Sequence, residues 1–300
     1  MIKVSVILPT YNSEKTIEKT IDSVLYQEGA GIFFEIELII VDDCSTDATV
    51  NILTEKGLNF YVNEKNTGGP NKSRNIGLMK CTGDYICFLD HDDYWAPNKI
   101  IEQLKYAKDY PIVTTGYVIK DHFNNRVIKR YSDKPPQIFK ENEAFLGLLS
   151  RSRNNQIYCI SNIMIRGDMK HLLFEEKFGV ADHDWITRVF EDRTSVQLSQ
   201  NLMTRNVYHS NLSLTHRFCK EDFYFSLYFL EAYEDKYPKQ VRTAIKRVYG
   251  TRARYFYMAG NQRKARELFY RFPLHSKNFF YIITSFFCAG LIKKKFHFFG

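Results

Sequence analysis

Apolar and polar positions along the first half of the chain switch repeatedly between two periods. Residues 4–8 (VSVIL) form a near-continuous apolar run, read as a strand buried on both faces. After PTYN (9–12), Ser13 can cap a helix whose apolar positions Ile17, Ile21, Val24 and Leu25 share one face. Residues 37–41 (ELIIV) repeat the buried-strand pattern and end in Asp42-Asp43, followed by a helix over about 46–56, a stop at Gly57 and a strand at 59–62. Gly68-Gly69-Pro70 opens another helix, with the proline in the first turn where its missing N–H costs nothing. Gly83 ends that helix, and 85–89 (YICFL) is a fourth strand that stops at Asp90. Pro97 begins a helix carrying Ile100, Ile101, Leu104 and Ala107 on one face, before a strand at 112–118. Strands separated by helices of this length predict an α/β fold with a mostly parallel central sheet flanked by helices.

Beyond residue 120 the pattern loosens. Asn124-Asn125 reads as a hairpin turn, Pro135-Pro136 as a loop, 141–149 as a helix and 160–165 as a strand. A helix at 185–190 and short strands at 196–198 and 203–208 follow, and from 218 onward the pattern is helical. The expected organisation is an α/β domain over 1–217, with halves at 1–115 and 116–217, then a helical region over 218–300.

Charge changes this picture at the C-terminal end. The chain carries a net +8, but residues 236–300 hold fifteen Lys and Arg against Glu267 alone, a local +14 that leaves −6 for the first 235 residues. Such a split points to an anionic partner for the tail and says nothing about fold. Of the six cysteines none forms a Cys-x-x-Cys pair, so reduced thiols in a cytosolic protein are expected. The apolar run behind Met1 is too short for a secretory h-region.

In open parallel sheets, ligands gather beyond the carboxyl ends of the strands, where loops and helix N-termini converge. Three strand ends here are polar: Pro9-Thr10-Tyr11-Asn12, Asp42-Asp43-Cys44-Ser45-Thr46-Asp47, and Asp90-His91-Asp92-Asp93. Acidic clusters on neighbouring strand ends repel unless a cation or a donor-rich ligand lies between them. An Asp-x-Asp element suits Mg2+ or Mn2+, which take one or two carboxylates plus substrate phosphates. Taken singly, each has an ordinary alternative: packing for Tyr11, turn and cap chemistry for Asp42, Asp43, Asp47, Asp92 and Asp93.

Together these elements resemble the family 2 glycosyltransferases, inverting enzymes of the GT-A fold. The resemblance runs through VSVILPTYN (4–12), IIVDDCSTD (39–47), NTGGPNKSRNIGL (66–78) and YICFLDHDDYWAP (85–97), strong over 1–115 and weaker over 155–215. Cys44 stands where the family usually has glycine. The resemblance implies a nucleotide-sugar donor, with Pro9, Thr10 and Tyr11 bordering the base, Asp43 on the base edge, Arg74 near the phosphates, Asp90 and His91 on the ribose or sugar, and Asp92 on Mn2+ or Mg2+. The family's base usually follows a Glu; here Ala181 replaces that Glu and Asp182 aligns with the base. Asp184 is the competitor, and His209 resembles a late histidine near the diphosphate or metal.

The tail's sixteen aromatics among fifteen basic residues would suit nucleic acid or a membrane interface. The uncharged run 278–292 (NFFYIITSFFCAGLI), followed by Lys293-Lys294-Lys295, favours an anionic membrane surface over nucleic acid. At fifteen residues it is shorter than the roughly 20 a spanning helix needs. The expectation is a protein peripheral to the cytoplasmic face of a membrane, acting on a saccharide or lipid-linked saccharide. Two other readings stay open: a nucleotidyltransferase on a related sheet, and a non-catalytic nucleotide-sugar-binding scaffold suggested by Ala181.

Overall fold

Strand β1 (Ile2–Thr10) is buried from Val4 to its end because both of its faces are covered, as its near-continuous apolar sequence requires. In the computed structural model, which describes residues 1–131, 134–151, 158–177, 182–208, 211–271 and 276–287, β1 is a central strand of a ten-stranded sheet. Along the chain follow α1 (Ile17–Leu25), β2 (Phe34–Asp42), α2 (Thr49–Glu55), β3 (Phe60–Val62), α3 (Asn71–Lys80), β4 (Tyr85–Phe88), β5 (Tyr94–Trp95) and α4 (Lys99–Ala107). Then come β6 (Ile112–Asp121), β7 (Arg126–Arg130), β8 (Gln137–Phe139), α5 (Glu143–Leu149), β9 (Met164–Arg166), α6 (His183–Phe190) and β10 (Ser195–Val207). Four helices close the chain: α7 (His216–Glu231), α8 (Pro238–Met258), α9 (Gln262–Arg271) and α10 (Ser276–Phe287).

The strand order is β3-β2-β1-β4-β9-β6-β10-β5, with β7 paired to β6 and β8 to β10. The first four strands of that order are parallel, and the longest ladder sets β1 against β2 from Ile2↔Phe34 to Thr10↔Asp42. β9 runs antiparallel between β4 and β6, so the sheet is mixed. Residues 196–198 and 203–208, which read as two strands, fall, except for Tyr208, in the single strand β10, whose register against β6 shifts between Gln197 and Thr204. Bulges of this kind break the alternation that a sequence pattern relies on. Half of 160–165, expected as strand, is a 3-10 turn at Ile160–Asn162, and the short β9 begins only at Met164. The hairpin expected at Asn124-Asn125 joins β6 and β7, with Asn125 at φ 47°.

The core lies between the sheet and the helices on it, built from Val4, Val6, Leu8, Ile17, Ile21, Val24, Ile40 and Leu53 among others. α3 approaches β1 unusually closely: a Cβ on Gly77 would sit 2.3 Å from Ile7 Cγ2. The chain divides into two compact units, Met1–Phe145 with Arg153–Leu212, and Leu146–Ser152 with Ser213–Gly300. In the second unit Ala253, Tyr257, Ala265, Phe269 and Ile282 form a separate core shared by α8, α9 and α10. Among the described residues no helix is long and apolar enough to cross a membrane.

Candidate active site

The three polar strand ends meet at one edge of the sheet because β1, β2 and β4 are parallel neighbours in register. At the end of β1, Pro9 is paired with Val41 and buried, and Tyr11 is 40 % exposed. Thr10 turns inward, its Oγ1 2.5 Å from Ser13 Oγ, while its carbonyl accepts from the Asp43 N–H. At the end of β2, Cys44 adopts φ 60°, and its Sγ donates to the Asn63 carbonyl. That left-handed conformation is the physical reason a glycine suits this position. Asp43 is buried and accepts from Asn63 Nδ2 at 2.6 Å and from the N–H and Oγ1 of Thr67. It therefore anchors the loop that opens α3.

α3 brings a polar face inward: Asn71, Ser73, Arg74 and Asn75 are all buried. Arg74, which alone would read as a surface cation, is 3 % exposed and ion-paired through Nη2 to Asp90 Oδ1 at 2.7 Å. Its Nη1 donates to Asn71 Oδ1, and its guanidinium lies 5.3 Å from the Phe174 ring centroid. Asn75 holds the 174–176 segment, giving Nδ2 to the Phe174 carbonyl and accepting the Phe174 N–H. This fixes the approach to α6, 100 residues further along the chain.

The acidic loop after β4 is pinned from both sides. Asp93 is 2 % exposed and accepts from the Asn206 N–H at 3.0 Å and from Ser161 Oγ at 3.1 Å. Thr20 Oγ1 reaches the carbonyls of His91 and Asp93. Asp92 gives one oxygen, Oδ2, to Asn211 Nδ2 at 2.9 Å, and its carbonyl to Asn206 Nδ2 at 2.7 Å. Burial raises the Asp92 carboxyl, with His91 opposing and Asp90 adding to the rise. Burial, then Asp92 and Asp90, raise Asp93 well above the ordinary carboxylate range. Among the described residues no three His, Cys, Asp or Glu side chains form a metal cluster by themselves. One carboxylate oxygen beside a diphosphate is nonetheless what Mg2+ or Mn2+ needs from a protein, since these ions complete their shell with phosphate and water.

Asp182 and Asp184 separate cleanly. Asp182 is the N-cap residue of α6, but its side chain makes no capping hydrogen bond. Its carboxyl lies in the field of Arg74, Asp90 and Arg205, and burial raises it above the ordinary range while Arg74 opposes. Asp184 is buried and turned to Arg188 Nη2 at 3.1 Å in an i,i+4 pair. Trp185 anchors the helix start: it is fully buried, stacks on Phe174 at 4.4 Å, meets Phe88 edge-on at 5.0 Å and donates Nε1 to the Leu172 carbonyl. His209 and Ala181 lie outside the described residues.

The structure thus brings Arg74, Asp90, Asp92 and Asp182 together and adds Arg205, Asn206, Asn211 and Ser161, which sequence reasoning missed. Arg205 acts on Asp92, Asp93 and Asp182 from β10. The signal available for it was a charged residue between Thr204 and Asn206 near the end of a strand.

A family profile described as "Glycosyl transferase family 2" matches residues 5–172, more than half of the chain. The poly(ribitol-phosphate) beta-N-acetylglucosaminyltransferase TarS of Staphylococcus aureus is 45 % identical over 98 residues, 31 % of this chain and 17 % of that protein. The UDP-Glc:alpha-D-GlcNAc-diphosphoundecaprenol beta-1,3-glucosyltransferase WfaP of Escherichia coli is 35 % identical over 139 residues, 45 % of this chain and 53 % of that protein. The chain therefore spans about half or less of the length of these curated relatives. The crystal structure of S. aureus TarS 1–349 with UDP-GlcNAc superposes with a TM-score of 0.64 at 21 % identity, covering 89 % of this chain and 79 % of that one, a likeness of fold.

Proposed function

The chain belongs to glycosyl transferase family 2, and from that premise we propose that it moves a sugar, with inversion, from a nucleoside diphosphate sugar to an acceptor hydroxyl in the synthesis of a cell-surface polysaccharide or glycolipid. The observation that carries this reading is Asp182, a carboxyl freed from capping and set beside the Arg74–Asp90 pair. Relatives that act on poly(ribitol-phosphate) and on a diphosphoundecaprenol-linked sugar support the acceptor class.

In this reading Tyr11 offers its exposed ring to the base, and Pro9 and Thr10 shape the strand end beneath it. The acceptor capacity left on Asp43 receives a base N–H. Arg74 acts mainly by orienting Asp90 toward the ribose or sugar, with His91 beside it. Asp92 would hold Mn2+ or Mg2+, which when bound supplies charge to stabilise the departing diphosphate. Arg205 faces the same charge. Asp182 accepts the acceptor's hydroxyl proton as that oxygen bonds the anomeric carbon, and the bond from that carbon to the phosphate oxygen breaks, releasing the nucleoside diphosphate. His209 remains a candidate for the diphosphate side.

Calorimetry with a panel of nucleotide sugars, with and without Mn2+, tests the donor half. One donor should bind, and more tightly with the metal; binding indifferent to the metal removes Asp92 from that role. Asp182→Asn should keep donor binding and lower kcat by about 10²–10⁴-fold. Turnover at the wild-type rate would exclude Asp182 as the base.

A further inference from the structure

Next to the acidic loop lies a group of side chains that the transfer chemistry above does not use. Tyr94 follows Asp93 directly, on β5, opposite Thr204 of β10. Two lysines from different elements converge on it. Lys120, near the end of β6, donates Nζ to Tyr94 Oη at 2.7 Å, and Lys19 of α1 sets Nζ 3.7 Å from the Tyr94 ring centroid. Among the described residues no carboxylate lies within ion-pairing distance of either ammonium.

A stacked ring pair completes the group. His122 and Tyr208 lie 4.5 Å apart and 6° from parallel. His122 Nε2 is 2.9 Å from Asn206 Oδ1, and Asn206 Nδ2 already donates to the Asp92 carbonyl, so Nε2 is the donor in that bond. The ring pair is thereby tied to the acidic loop through one side chain. Tyr208 feels the charges of Asp92, Asp93 and Lys120 and the neighbouring Tyr94 phenol. Two like charges gathered on one tyrosine, with no acid among them, repel each other and are favoured by an anion.

We propose that Lys19, Tyr94 and Lys120, with the His122–Tyr208 pair beside them, form an acceptor subsite for a phosphate or diphosphate group carried close to the acceptor hydroxyl. The proposal rests on the glycosyl-transfer reading and deepens it by naming the acceptor as anionic.

The test measures binding to the full chain saturated with its nucleotide and Mn2+. The three probes are N-acetylglucosamine linked through diphosphate to farnesol, a ribitol phosphate oligomer, and the neutral octyl glycoside of N-acetylglucosamine. At least one phosphate-bearing probe should bind at least about tenfold tighter than the neutral one, an advantage worth about 1.4 kcal/mol that shrinks with added salt. Which of the two binds identifies the source of the phosphate. Lys19→Gln, at an exposed position, and the Lys19→Gln/Lys120→Gln pair should progressively remove that advantage and leave nucleotide affinity unchanged. Equal affinity for all three probes overturns the subsite, as does undiminished selectivity in the double variant. A matching loss of nucleotide affinity would reassign the lysines to the donor. Failure of the function itself would look different: no nucleotide sugar would bind or turn over at all.

Discussion

At the start of α6 two carboxyls two residues apart meet different surroundings. Burial raises both carboxyls above the ordinary range, but Asp184 is paired with Arg188, while Asp182 lies in the field of Arg74 and Asp90. A general base works only when ionised. The acid limb of the pH profile of kcat/KM should therefore lie above the 3.8 of an ordinary aspartate, and Asp182→Asn should lose that limb along with most of its activity. A limb at or below the ordinary value would remove burial as the controlling influence. Lys99 shows the same physics in the core. It is fully buried, donates Nζ to Gln103 Oε1 at 2.7 Å, lies 4.0 Å from the Trp95 ring centroid, and has its pKa lowered to about 8 by desolvation. Between about 8 and 10.5 the unfolded chain holds this proton and the folded one does not, so folding stability rises with pH across that window. Urea unfolding at several pH values should show that rise in the wild type, by up to about 3 kcal/mol, and show it missing in Lys99→Met. Parallel curves for the two proteins would contradict the assignment.

At the scale of elements, α3 links the loop after β4 to the segment before α6, through Arg74 on Asp90 and Asn75 on Phe174. Its inward face is polar, so it lacks the apolar stripe that marks most helices, and its role was invisible to periodicity. Gly77 lets it sit against Ile7, where an added methyl would overlap Cγ2 at 2.3 Å. Gly77→Ala should cost about 1–3 kcal/mol through overpacking, although alanine is the better helix former, and Arg74 should shift away from Asp90 with the helix. Thermal unfolding together with donor affinity checks this; a stabilised variant with normal affinity would show that the helix has room. The strands β1, β2 and β4 were legible because buried parallel strands leave continuous apolar runs. β9 and β10 were misread for the opposite reason: one is three residues long and the other carries a bulge, so neither holds a periodic pattern.

For the whole molecule, the second unit changes what the tail's sequence suggests. α10 packs on α8 and α9 through Ile282 and through Tyr257 Oη, which donates to Thr284 Oγ1, while Arg266 Nη1 holds the Ser285 carbonyl. Removing residues 276–300 would strip a core face as well as a basic segment, so charge substitution is the cleaner probe of membrane binding. If the basic surface meets a membrane, the full chain should float with phosphatidylglycerol vesicles, not with phosphatidylcholine vesicles, and less so at high salt. Arg263→Glu with Lys264→Glu, both exposed, should weaken that flotation. Flotation that ignores lipid charge would rule out an electrostatic mode. The five described cysteines are free.

What the sequence determined by itself was local: which runs form strands, where they end, and that Thr10, Asp43, Asp90 and Asp92 follow those ends. Strand ends are set by neighbouring residues, so a linear pattern is enough to read them. The tertiary structure alone decided that Arg74 is buried on Asp90, that Asn206 and Ser161 hold the acidic loop, and that Asp184 pairs with Arg188 while Asp182 makes no capping bond. Those outcomes depend on burial and on Coulomb interactions between residues up to about a hundred positions apart, and such distances exist only once the sheet has brought the segments together.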